Sequence, residues 1–77
     1  MKVVILKIAR KYLERLPKEH QQRISDAILN LPKGDVLPLG GKPGGFRLRV
    51  GKWRVLYQLT DDKITIRNIG TRGDIYK

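Results

Sequence analysis

The chain has 77 residues, the length of one small domain, and it contains no cysteine, one histidine and one serine. Disulfides, thiolate nucleophiles, cysteine-ligated zinc and a metal site with two histidines are therefore excluded within it. With 17 lysines and arginines against seven aspartates and glutamates, the formal net charge of +10 predicts a polyanionic partner, either nucleic acid, the ribosome or an acidic protein segment. The apolar runs are too short for a membrane span or signal segment, so we expect a soluble, cytoplasmic protein.

The first part of the chain predicts one strand and two helices. Lys2–Ile8 is apolar and rich in β-branched residues, which is typical of a strand. From Ala9 to Leu16 the apolar residues recur at three- and four-residue spacing, which predicts a helix. Pro17 fits the first position of a second helix, and Pro32 and Gly34 mark its end. The apolar stripe of that second helix consists of Ile24, Ala27, Ile28 and Leu31.

Residues 34–45 predict a loop, because they contain five of the eight glycines and two of the four prolines. The pair Gly41-Lys42 is similar to the end of a phosphate-binding P-loop, but no Ser or Thr follows it. A flexible connector between helices and strands is therefore the favoured interpretation.

The remainder of the chain predicts an antiparallel meander. Apolar and polar residues alternate, and Gly51-Lys52 suits a two-residue type II′ hairpin turn. Asp61-Asp62 predicts the second turn. The expected fold is α+β, with an N-terminal strand and a two-helix hairpin packed on one face of a three- to four-stranded antiparallel sheet. The predicted strands are Phe46–Val50, Trp53–Leu59 and Ile64–Ile69, with a short terminal pairing at Asp74–Tyr76.

Four arginines are predicted to share the sheet face that does not contact the helices. The first turn places Arg49 directly opposite Arg54, and the second places Leu56 opposite Arg67. The pattern shows no acidic neighbour, so the arginines repel one another. Two interpretations remain open: a solvated sheet face, or a phosphate site, since guanidinium groups match phosphate oxygens bidentately. The four are Arg47, Arg49, Arg54 and Arg67, and the opposite, core-forming face holds Phe46, Leu48, Val50, Trp53, Val55 and Tyr57.

The C-terminal segment adds an arginine and a tyrosine at the end of the sheet. Arg72 follows the last long strand, and Tyr76 lies four residues further on. A tyrosine at this place can be a core residue. Beside an arginine cluster it can also stack on a base or transfer a proton.

These motifs resemble the RelE branch of the RelE/ParE toxin superfamily. The similarity is carried by FRLRVGKWRVLY at residues 46–57, by the turn after it and by IGTRGDIY at residues 69–76, and it extends over nearly the whole chain. It implies one toxin domain over residues 1–77, a cognate antitoxin partner, and cleavage of messenger RNA in the ribosomal A site. In that reaction the ribose 2′-OH attacks the adjacent phosphorus, leaving a cyclic phosphate and a 5′-OH.

The resemblance also implies the residues that act. Some relatives carry lysines where this chain has arginines on the second strand, and arginine is a poor base because it is always protonated. The base is therefore open between the terminal tyrosine, Lys52 and a ribosomal group. The implied catalytic set is Arg47, Arg49, Arg54, Arg72 and Tyr76. Further RNA or phosphate contacts are predicted for Lys42, Lys52, Arg67 and Lys77, with no metal and no cofactor.

Two other functions remain as alternatives. One is a ParE-like toxin that inhibits DNA gyrase, although such chains usually lack the strand arginines and the terminal arginine and tyrosine. The other is a catalytically weak relative that only binds RNA, which the replacement of lysine by arginine would favour.

Overall fold

The computed structural model describes residues 2–41 and 44–75, and within them the chain forms five strands and three helices. Along the chain, one strand is followed by two helices, then by four strands and finally by one helical turn. The elements are β1 (Lys2–Ile5), α1 (Lys7–Glu14), α2 (Lys18–Leu29), β2 (Val36–Pro38), β3 (Gly45–Val50), β4 (Trp53–Leu59), β5 (Lys63–Thr71) and α3 (Arg72–Ile75).

All five strands belong to one sheet in the order β1-β5-β4-β3-β2. β3, β4 and β5 form the predicted antiparallel meander, β2 pairs antiparallel with β3, and β1 pairs parallel with β5. The α+β class and the placement of the helices are confirmed. The sheet has more strands than the three or four expected, and β1 joins its edge. Pairing between β1 and β5 joins residues about sixty positions apart in the chain, so no local pattern could indicate it.

The first helix begins earlier than the sequence predicts. β1 ends at Ile5 and α1 begins at Lys7, whereas the predicted strand ran to Ile8. Leu6 is the last extended residue, and its N–H donates to the carbonyl of Ile66 at 3.0 Å, which completes the pairing with β5. Ile8 therefore belongs to the helix, where it is 62% exposed. No helix within residues 2–41 and 44–75 is long and apolar enough to cross a membrane.

The core lies between the helices and one face of the sheet. Pro17 directly precedes α2, and the stripe predicted for this helix faces the core, with Ile24 and Ile28 buried. The strand residues predicted for the core are likewise buried, except Phe46, which is half-buried and stacks on Tyr57. The buried apolar residues are Ala9, Leu13, Ile24, Ile28, Leu48, Val50, Trp53, Val55, Tyr57, Ile64, Ile66, Ile69 and Ile75.

The hairpin of β3 and β4 has the predicted register. Val50 pairs with Trp53 across the two-residue turn, and Arg49 pairs with Arg54. Gly51 has a φ of +58°, as the first central position of a type II′ turn requires, and Lys52 does not have a positive φ. This turn fixes which side chains share each face of the hairpin.

The predicted loop contains an additional strand. β2 lies within residues 34–45 and pairs with β3, so that Val36 lies opposite Leu48 and Leu37 opposite Arg47. Val36 packs against the core, and Pro38 lies on an edge strand, where a missing N–H is tolerated. The interpretation of the whole segment as a connector was therefore wrong.

Two further expectations for the C-terminal third are wrong. A β-bulge shifts the register, so that Leu56 pairs with Asn68 and Arg67 is the extra residue opposite no partner. The terminal pairing at Asp74–Tyr76 is absent from the described part, because residues 72–75 form α3. Ile75 instead folds back onto Gly70, where a Cβ would lie 3.6 Å from that of Ile75, and becomes buried.

Candidate functional site

The sheet face opposite the helices carries three arginines, and we call it the arginine face. Arg47 and Arg49 alternate with core residues along β3, and Arg54 of β4 is the cross-strand partner of Arg49. Leu37 of β2 lies beside Arg47, and Gly70 of β5 lies beside Arg54. The strand register thus brings together three of the residues predicted for catalysis.

Asp35 is an acidic neighbour of this face that sequence reasoning missed. Its carboxylate forms an ion pair with Nε of Arg49 and lies 3.6 Å from Nη2 of Arg47. Its backbone carbonyl accepts from the N–H of Arg49 at 2.9 Å. The expectation that the arginines have no acidic neighbour was therefore wrong. The sequence does show an aspartate directly before Val36. Its contact with the arginines could be inferred only by knowing that β2 pairs with β3.

Arg47 is the more enclosed of the two arginines on β3. Its side chain is 13% exposed, whereas that of Arg49 is 55% exposed. Nε of Arg47 is buried and has no hydrogen-bond partner among the described residues. A buried donor without an acceptor costs free energy.

Arg54 is buried at the first hairpin turn, with 9% of its surface exposed. Its Nη1 donates to the carbonyl oxygens of Gly51 at 2.9 Å and of Trp53 at 3.0 Å. This nitrogen therefore holds the turn, while the positive charge stays beside Arg49 at the paired position. The catalytic role predicted for Arg54 stays a prediction.

Arg72 and Lys52 meet at the same turn through their backbones. The N–H of Arg72 donates to the carbonyl of Lys52 at 3.3 Å, and both side chains are exposed. The ammonium of Lys52 lies 5.1 Å from the centroid of the Trp53 ring, which in turn contacts the ring of His20 on α2 at 4.7 Å. Lys52 is thus directed toward the helix side of the sheet, away from the arginine face.

Arg67 lies at the bulge and borders a cavity next to the arginine face. The cavity has a volume of about 360 Å³, and its walls include Leu56 and Asn68. Leu56 is the cross-strand partner of Arg47, so the cavity adjoins the enclosed arginine. Arg67 itself is exposed. Its predicted contact with RNA stays a prediction.

Three predicted site residues, Lys42, Tyr76 and Lys77, lie outside the described residues. The roles assigned to them stay predictions. Among the residues that the structure does describe, no group of three or more histidine, aspartate or glutamate side chains is placed to hold a metal ion.

Comparisons with known proteins place this geometry in context. A family model described as "ParE toxin of type II toxin-antitoxin system, parDE" matches residues 3–76. No curated protein sequence matches the chain. The RelB–RelE antitoxin–toxin complex from Methanococcus jannaschii is 28% identical, covers 95% of this chain and 94% of its own, and has a TM-score of 0.78.

Two further solved structures have the same architecture. The RelE–RelB complex from Pyrococcus horikoshii OT3 is 31% identical over 95% of this chain and 96% of its own, with a TM-score of 0.75. The DinJ–YafQ toxin–antitoxin complex from E. coli has a TM-score of 0.81 over 99% of this chain and 97% of its own. At 19% identity, that last likeness shows the fold alone.

Proposed function

Because this chain belongs to the RelE/ParE family of type II toxin–antitoxin toxins, we propose that it is an endoribonuclease that cuts messenger RNA in the ribosomal A site. The observation that carries the proposal is the arginine face, where Arg47, Arg49 and Arg54 share one side of the hairpin. An inhibitor that acts only by binding protein does not need guanidinium groups gathered in this way. Phosphoryl transfer does need them, because guanidinium groups stabilise the negative charge that develops on the phosphate oxygens.

The proposed reaction is an internal transesterification. The 2′-oxygen of the ribose forms a bond to the adjacent phosphorus, and the bond from phosphorus to the 5′-oxygen of the next nucleotide breaks. The products are a 2′,3′-cyclic phosphate and a 5′-OH, so one proton leaves the 2′-OH and one reaches the leaving oxygen. Arginines on this face would bind the phosphate, and they do not serve as bases because they remain protonated.

Individual residues suit different parts of this reaction. Arg47 lies on the arginine face two residues from Arg49, and we assign its positive charge to a non-bridging phosphate oxygen. Arg72 is exposed at the turn that holds Arg54, and we assign it to the phosphate as well. Tyr76 is proposed as the group that protonates the leaving oxygen or stacks on a base.

A cognate antitoxin is the second proposed partner. The structures from Methanococcus jannaschii and Pyrococcus horikoshii are both complexes of RelE with RelB. The net charge of +10 on this chain favours an antitoxin segment rich in acidic residues. We accordingly propose the cytoplasm as the location of this activity.

Inhibition of DNA gyrase is the second candidate function. It is favoured by the family model, whose description names the ParE toxin. It does not account for the arginine face. A supercoiling assay distinguishes the two functions, because a ribosome-dependent nuclease leaves gyrase active.

Toeprinting on a defined messenger in a purified translation system tests the proposal. We expect cuts at A-site codons that require ribosomes, and a loss of several orders of magnitude in cleavage for Arg72→Ala. Arg10→Ala is the matched control, since it removes an exposed arginine from α1, and it should cleave like the wild type. Absence of cuts by the wild type, together with inhibition of gyrase, would replace this proposal with the second candidate.

A further inference from the structure

We propose that Asp35 is a positioning residue for the arginine face, whose carboxylate holds the guanidinium groups of Arg47 and Arg49 in the orientation that receives the scissile phosphate. The proposal rests on the proposed function, because that function supplies the phosphate. Two contacts of the Asp35 carboxylate carry it: the ion pair with Arg49 Nε and the 3.6 Å approach of Arg47 Nη2.

The backbone around Asp35 fixes the position of its carboxylate. Gly34 has a φ of +114°, and a Cβ on it would lie 3.3 Å from Cδ1 of Leu48, so the chain passes close to β3 at this point. The carbonyl of Asp35 then accepts from the N–H of Arg49. Val36 follows as the first residue of β2 and pairs with Leu48. Asp35 is thereby fixed beside β3 through backbone interactions on both sides of it.

The two arginines need such an anchor. They are two positions apart on one strand, so their side chains leave the same face about 7 Å apart and repel each other. Long side chains of this kind lose much rotamer freedom when a substrate orders them. A shared carboxylate orders both before the substrate arrives, and a group already in place costs no reorganisation at the moment of reaction.

The contacts leave part of each guanidinium available. Arg49 uses Nε for Asp35, which leaves its terminal nitrogens, and Arg49 is 55% exposed. Arg47 approaches Asp35 through Nη2 and keeps Nε without a partner among the described residues. The carboxylate therefore occupies one edge of each group and leaves the terminal nitrogens of Arg49 to a second, external anion, with the charge of Arg47 beside them.

Asp35 should have opposite effects on the two steps: it lowers the affinity for RNA and raises the rate of cleavage. Its negative charge offsets one of the two positive charges, so it weakens the general attraction of the face for RNA. Replacing it with a neutral isostere should increase or preserve affinity while misplacing the phosphate. This split distinguishes a positioning role from a structural role, in which affinity and rate would fall together, and from a purely electrostatic role, in which only affinity would change.

Cleavage kinetics on programmed ribosomes give the first test. We expect Asp35→Asn to lower kcat by about 10- to 100-fold, the scale on which small misplacements reduce rates, with KM unchanged or lower. Asp35→Glu retains the charge and should recover part of the loss. The control is Asp61→Asn, which makes the same change in an exposed turn and should leave both constants unchanged. An unchanged kcat for Asp35→Asn, whether or not KM increases, would overturn the proposal.

A second measurement tests the anchor without cleavage. In protein labelled with ¹⁵N-arginine, the Nε–H group of Arg49 should be rigid and slow to exchange in the wild type and in Asp61→Asn. It should become mobile in Asp35→Asn, while the backbone spectrum and the urea midpoint of that variant stay close to wild type. Equal mobility in all three proteins would refute the positioning role. If the wild type does not cleave RNA although its Arg49 side chain is rigid, the proposed function is refuted, but the contact between Asp35 and Arg49 is not.

Discussion

Tyr57 lies at the centre of the core, with 2% of its surface exposed and its ring stacked on Phe46 at 5.5 Å. Burial raises the pKa of the Tyr57 phenol above its ordinary value of 10.0, because the phenolate is poorly solvated there. The unfolded chain therefore releases this proton at a lower pH than the folded protein does. Stability that is fully present below about pH 10 is lost as the pH rises through the folded pKa.

We expect the free energy of unfolding in urea to fall more between pH 9 and pH 11 for the wild type than for Tyr57→Phe. The comparison is between variants, so that only the contribution of this phenol differs. Tyr12→Phe removes a half-buried phenol from α1 and should keep the fall of the wild type. Parallel curves for the wild type and Tyr57→Phe would show that burial of this phenol does not affect alkaline stability.

Side-chain placement was predictable from the sequence where it depended on neighbours along the chain. Arg49 opposite Arg54 followed from a two-residue turn, and the structure has that register. Arg67 could not be placed, because the bulge inserts one residue without a mark in the polar and apolar alternation. Asp35 was missed because its partners, Arg47 and Arg49, lie twelve and fourteen residues further along the chain.

Elements show the same division between local and distant causes. The β3–β4 hairpin has alternation and a glycine at the turn, so both strands were predicted. β2 has only three residues and a proline, and it becomes a strand because β3 offers an edge to it. The start of α1 was misplaced because the apolar residues Leu6 and Ile8 extend the strand-like pattern past Ile5, where pairing with β5 stops.

The open end of the β3–β4 hairpin, where Gly44 before β3 meets Leu59 at the end of β4, gives a prediction at the element scale. Gly44 has a φ of +77°, and a Cβ on it would lie 2.8 Å from the carbonyl oxygen of Leu59, whose N–H donates to Gly44 at 2.7 Å. Gly41 has a similar φ of +80° but has no heavy atom within 4 Å of a Cβ. Gly41→Ala therefore bears only the conformational cost, about 1–2 kcal/mol.

Gly44→Ala bears the same conformational cost and also forces the two strands apart. Its free energy of unfolding should fall by at least about 1 kcal/mol more than that of Gly41→Ala, measured by urea denaturation. Equal losses in the two variants would mean that the close approach of Gly44 to Leu59 contributes nothing to the stability of the sheet.

At the scale of the whole molecule, the two sides of the sheet differ: one packs the apolar core and the other carries the arginine face. Helices α1 and α2 cover the apolar side and close the core, while the other side carries the arginine face, where Ile75 of α3 packs on Gly70 beside Arg54. The net charge of +10 is spread over both sides, so general attraction for RNA does not identify the site. The proposed RNA site differs from these surfaces because its guanidinium groups belong to paired strands and contact Asp35.

The salt dependence of RNA binding separates these two contributions. For a non-cleavable single strand, the slope of log K against log salt is about −0.7 for each phosphate neutralised. Arg47→Ala combined with Arg49→Ala should reduce the magnitude of the slope by about 1.4 if each arginine contacts one phosphate. Arg10→Ala combined with Lys18→Ala removes two exposed charges from the helices and should change it much less. Equal changes in the two double variants would mean that RNA is held by net charge, and the arginine face would lose its claim to be the binding site.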